Sequence, residues 1–150
     1  MDPSLRNLYQ EVILDHNNNP RNFREIDTHN RKIDGFNPLC GDKYTFFVRL
    51  DGNCIKDIGF TGSGCAISKS SASIMTTLVK NKTIAEANRI FEMFHNLITG
   101  EDKSTLDELG KLAVFKQVCE YPSRIKCAAL GWHALNAILN SNKNDMITTE

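Results

Sequence analysis

Asp51-Gly52-Asn53 lies between two runs, "KYTFFVRL" (43–50) and "CIKDIGFT" (54–61), that are rich in aromatic and β-branched residues. Asp-Gly between two such runs is a strong hairpin signal, because the turn needs backbone angles that these residues tolerate and the flanks suit a pleated, half-buried surface. A hairpin is geometrically strict. Whatever leads into its first strand and whatever leaves its second must lie at the same end, away from the turn. Cys40 leads in and Cys65 leaves, so local pairing brings two thiols together with Asp42 nearby.

The rest of the chain arranges itself around that hairpin. Asp2-Pro3 reads as an N-cap followed by proline at the first helical position, and Leu5, Leu8, Tyr9, Val12 and Ile13 keep a helical rhythm. The helix, expected over 1–16, should end within "HNNNPRNF". Residues 17–38 read as polar connection with room for a short strand near Arg31 to Gly35. After the hairpin, glycines make a tight turn before "AISKSSASIMTTLVK", whose apolar positions fall at helical spacing. "TIAE" (83–86) is a capping box that opens another helix. "STLDELGKLAVFKQV" reads as one or two short helices, and the segment after Pro122 as a final helix. The tail, 141–150, is polar and expected to be flexible. The predicted fold class is α+β: one domain, 1–150, with a small antiparallel sheet of about three strands packed against several α-helices.

Composition narrows the function classes. Eighteen Lys and Arg balance eighteen Asp and Glu, so no net field argues for nucleic acid or an acidic membrane. The start lacks the apolar core of a signal peptide and no run approaches a membrane span, which makes the cytoplasm the expected compartment and the sequon at Asn81 meaningless. Five cysteines are an odd number in a chain large enough to fold without disulfides. Reduced thiols in that setting point to metal binding or thiol chemistry.

Cys65 has an added property. A helix N-terminus offers unpaired N–H groups and a positive dipole end, which favour thiolate over thiol, and Gly62 and Gly64 let the backbone turn closely there. Cys127 gains the same help if its helix begins between Pro122 and Lys126. Three thiolates and one carboxylate would satisfy a tetrahedral zinc ion. Spacing alone does not bring Cys127 to the hairpin end, and free cysteines are also common as small buried hydrophobes, so both readings stay open on the residues themselves. Cys54, at the hairpin turn, and Cys119, late in a helix, read as structural. His133 lies six positions after Cys127, about 120° around a helix, and is a poor co-ligand. His16, His29 and His95 belong to no constellation. "SKSSAS" has no glycine elbow or adjacent base and reads as a packed helix face. No phosphate loop or dinucleotide fingerprint is present.

Taken together, "NPLCGDKY", "GFTGSGCAIS" and "RIKCAALGWHAL" resemble the three cysteine motifs of the IscU/SufU family of iron–sulfur assembly proteins. "LYQEVILDHNNNPRNF" resembles the N-terminal segment of its SufU branch. The motifs span nearly the whole chain. The resemblance implies a SufE/IscU-like fold, a Zn2+ site at Cys40, Asp42, Cys65 and Cys127, and a role for Arg124 beside the site or against a partner. IscU-type scaffolds carry histidine directly before the third cysteine and a short gap after the second. Here Lys126 holds that place and 61 residues separate Cys65 from Cys127, which resembles SufU. The implied activity is zinc-dependent sulfur transfer. Cys40 would accept persulfide sulfur from a pyridoxal-phosphate cysteine desulfurase (SufS-like) and pass it to a downstream sulfur or cluster acceptor. Two alternatives are an IscU-like scaffold that builds a 2Fe–2S cluster on the same ligands and a structural zinc interaction module.

Overall fold

The computed structural model describes residues 3–100, 110–140 and 146–148. The predicted hairpin forms. β1 (Arg31–Asn37) is followed by β2 (Asp42–Asp51) and β3 (Cys54–Ser63). β2 and β3 pair antiparallel from Asp51↔Cys54 at the turn to Lys43↔Ser63 at the far end, with a register irregularity at Arg49/Leu50. β1 pairs antiparallel with β2, ending at Asn37↔Asp42. Part of the predicted tail adds a fourth strand, β4 (Met146–Thr148), parallel to β1. The sheet order is β3-β2-β1-β4.

Alternation along β2 decides which face is covered. Tyr44, Phe46, Val48 and Leu50 are buried on one side, as a period of two requires. That side receives α2 (Ala66–Val79) and α4 (Pro122–Asn140). On the other side Phe47 is covered by His29, with ring centroids 5.2 Å apart.

α2 uses small residues to approach its neighbours. Ser71 Oγ donates to Ala128 O at 2.7 Å and accepts from Trp132 Nε1 at 3.3 Å, which fixes α2 against α4. Ser73 Oγ accepts from Arg21 N at 2.8 Å and lies 2.7 Å from His16 Nδ1, which ties down α1 (Pro3–Asn18). The serine run is thus a packed helix face, with each buried hydroxyl partnered as burial demands. α3 (Ile84–Ile98) opens with the predicted capping box, Thr83 and Glu86 exchanging bonds of 3.1 Å. A 3-10 segment covers Gly110–Glu120; the predicted helical residues 104–109 lie outside the described residues. Trp132 stacks on Phe94 at 5.0 Å, and Phe94 meets Phe115 edge to face at 5.8 Å, joining α4, α3 and that segment.

Candidate metal centre

Three separate parts of the chain meet at the open end of the hairpin. Cys40 lies in the turn between β1 and β2, and Gly41 there has φ +72°, a conformation that strongly favours glycine. Asp42 opens β2 and is fully buried. Cys65 is the N-cap of α2, and its sulfur accepts from Ser68 N at 3.4 Å. Cys127 comes from α4 and is buried, whereas Cys40 is exposed. Gly64 makes room for the arrangement: a Cβ at that position would fall 2.6 Å from both Asp42 Oδ1 and Ser68 Oγ.

Cys40 Sγ, a carboxylate oxygen of Asp42 and Cys127 Sγ all lie within 4.8 Å of one another. The Cys127 and Cys40 sulfurs are 3.1 Å apart. Cys65 borders this triangle, and its N–H donates to Asp42 Oδ1 at 2.8 Å. Its thiol is lowered to about 6, first by the bond from the Cys127 side chain and then, against the opposing effect of burial, by the Ser68 N–H. The Cys127 thiol is pushed up, chiefly because it keeps the proton that it shares with Cys65 and also because it is buried. Cys65 has the helix-start position expected of it, its sulfur accepting from Ser68 N; Cys127 does not, although its helix begins within the range expected to help it. α4 begins at Pro122, so Cys127 sits beyond the first turn, where the backbone N–H groups are committed to the helix.

The remaining predicted residues sort clearly. Arg124 interacts with the Tyr9 hydroxyl and lies 5.2 Å over the Tyr121 ring. Cys54 pairs with Asp51 beside the hairpin turn, at the far end of the strands. Cys119 lies in the 3-10 segment, near Gly100. His133 packs against Phe91 and His95 instead of the site. One residue of the first motif has no role in the sequence reading. Asn37, fully buried, donates from Nδ2 to Asp42 Oδ2 at 3.3 Å and to Cys127 Sγ at 3.4 Å. Its signal was present as an Asn-Pro turn just before Cys40, which reads as loop chemistry rather than site chemistry.

The donor set suits a cation. Asp42 is a buried carboxylate whose two recorded partners, the Cys65 N–H and the Asn37 amide, are both neutral. A buried carboxylate with no cationic partner among its bonds, beside the Cys40 and Cys127 thiols, is a group that a bound cation would satisfy. Residues 8–136 match the NifU-like N-terminal domain family. The chain belongs to this family.

Relatives of this NifU-like domain carry two kinds of name. The zinc-dependent sulfurtransferase SufU of Bacillus subtilis is 39% identical over 132 residues, 88% of this chain and 89% of that one. The iron–sulfur cluster assembly scaffold protein IscU of Streptococcus pyogenes serotype M1 is 34% identical, covering 97% and 91%. Among solved structures, a candidate assembly scaffold of the SUF system from Fervidobacterium islandicum AW-1 superposes with a TM-score of 0.82 at 32% identity, covering 89% of this NifU-like domain and 98% of that chain. The α+β architecture is shared with that solved structure. No helix among the described residues is long and apolar enough to cross a membrane.

Proposed function

We propose that this chain is a zinc-dependent sulfurtransferase of iron–sulfur cluster assembly, acting in the cytoplasm, with Cys40, Asp42, Cys65 and Cys127 as the metal ligands. The observation that carries the reading is the asymmetry of the cluster. Cys127 and Asp42 are buried while Cys40, on a glycine turn, faces solvent. Thiol exchange needs a cysteine that a partner's persulfide can reach, and Cys40 is the exposed one of the set. Lys126, where scaffold-type relatives would carry histidine, and the identity to the sulfurtransferase-named relative support the same branch.

When bound, zinc would keep the thiols ionised and supply no redox change. The chemistry belongs to Cys40. Its thiolate attacks the terminal sulfur of a persulfide on a pyridoxal-phosphate cysteine desulfurase. A new S–S bond forms on Cys40, the donor's S–S bond breaks, and the donor cysteine leaves as thiolate, so the exchange is balanced without an outside oxidant. Cys40 then offers the sulfur to a downstream acceptor. Arg124 would meet the desulfurase, a reading supported by its contacts with Tyr9 and the half-exposed Tyr121.

The test is persulfide transfer from a cysteine desulfurase, followed by mass spectrometry, with zinc content measured in parallel. Wild type should carry the sulfur on Cys40, and Cys40→Ala should lose both sulfur acceptance and desulfurase stimulation. Normal persulfide formation on that variant would overturn the assignment. Bound iron and sulfide, with a cluster handed to an apo-protein, would instead favour a scaffold like the one named in Streptococcus pyogenes.

A further inference from the structure

Asn37 hydrogen-bonds two of the proposed ligands. It is fully buried at the end of β1, directly opposite Asp42 in the ladder. Its amide orientation is set by a third bond: Leu39 N donates to Asn37 Oδ1 at 3.3 Å. With the oxygen committed to that turn, the NH2 group must face the ligands, and its two hydrogens match its two acceptors, Asp42 Oδ2 and Cys127 Sγ. One side chain thus shapes the turn into Cys40 and holds two of the four ligands.

The donors around the site are unevenly shared. Asp42 is held by Cys65 N and by Asn37, Cys65 by Ser68 N, and Cys127 by Asn37. The hydrogen bond recorded to the Cys40 sulfur comes from the Cys127 thiol. No backbone or amide N–H among the described residues is seen to donate to Cys40, whereas Asp42, Cys65 and Cys127 each accept from one.

We propose that Asn37 is a positioning residue that holds Asp42 and Cys127 in ligand geometry. This rests on the zinc-site reading above and deepens it, by naming a side chain outside the ligand set that sets how tightly the site holds its metal. Outer partners that orient metal ligands are typically worth about 10–100-fold in metal affinity.

The experiment is competitive alkylation of the zinc-loaded full chain with iodoacetamide, each cysteine followed by mass spectrometry, for wild type, Asn37→Leu and Asn37→Ala. Asn37→Leu keeps the side-chain shape without the amide; Asn37→Ala removes both. In wild type Cys40 should be alkylated well before Cys65 and Cys127. In both variants Cys127 should lose protection and approach the rate of Cys40, and zinc affinity against a chelator should fall about 10–100-fold. Cobalt substitution adds a spectroscopic readout: the thiolate-to-metal bands should shift in the variants. Wild type in which Cys127 reacts before Cys40 overturns the inference whatever the variants do. So does a variant that binds zinc with the wild-type order of alkylation and unchanged affinity. Wild type that binds no zinc sinks the zinc-site reading itself, which separates the two failures.

Discussion

Two single residues give sharp expectations. At Gly64 the structure has no room for a side chain. A Cβ would press on Asp42 Oδ1, Ser68 Oγ and the Tyr44 hydroxyl, which themselves bond one another or the site. Gly64→Ala should destabilise the metal-free protein by about 1–3 kcal/mol, as overpacking does, and should weaken metal binding further because Asp42 is one of the displaced groups. Urea denaturation and zinc titration of the same samples check both; wild-type metal affinity in a folded Gly64→Ala protein would contradict the geometry. His16 gives a pH expectation. It is 2% exposed and held at 2.7 Å to Ser73 Oγ. Burial, helped by Arg21 and Lys111 and opposed by Asp15, lowers its pKa from 6.5 to about 4. The folded protein therefore resists a proton that the unfolded chain accepts. The contribution is fully present above pH 6.5 and is lost as pH falls from there toward 4, with a slope approaching about 1.4 kcal/mol per pH unit for one proton. Urea midpoints across that window should fall with pH in wild type and flatten in His16→Gln.

Among the elements, α2 joins folding to chemistry at one residue. Cys65 is both its N-cap and a proposed ligand, so substitutions should separate the two duties. Cys65→Ser retains a capping oxygen and Cys65→Ala does not. In the metal-free protein the Ala variant should be the less stable by about 1 kcal/mol, whereas both should lose tight zinc binding. Thermal melts with and without zinc test this; equal metal-free stability of the two variants would mean that the cap contributes nothing. What could be read from the sequence follows the same division. The hairpin, the pairing of Cys40 and Asp42 with Cys65, and the cap position were local consequences of Asp-Gly, alternation and the glycine turn. Cys127 was not. Its arrival depends on α4 crossing the sheet through Ser71, Ala128 and Trp132, contacts some sixty residues apart in the chain that no spacing rule encodes, and only the motif resemblance pointed to it. β4 escaped because a three-residue strand carries too little periodicity to stand out from a polar tail. The role of Asn37 escaped because its amide gains meaning only once Asp42 and Cys127 are in place.

For the whole molecule, the proposed ligands come from the β1–β2 turn, β2, α2 and α4, so a bound metal would tie the sheet to both helices that cover it. The core beneath is independent of that tie. Phe46, Phe60, Met75, Leu130 and Trp132 are essentially fully buried and need no metal partner. Metal removal should therefore lower stability without abolishing the fold, unlike small domains in which binding free energy is the folding free energy. At a free zinc concentration about a thousandfold above its Kd, linkage contributes about 4 kcal/mol. For a chain of this size that corresponds to a fall in Tm of roughly 8–16 °C on chelation. Calorimetry on chelator-treated and zinc-loaded protein should show one cooperative transition in each, displaced by that amount, with similar urea m-values because the same surface is exposed on unfolding. A metal-free protein with no cooperative transition would show that the metal organises the core. A Tm unmoved by zinc would show that the four side chains do not share it in the folded state.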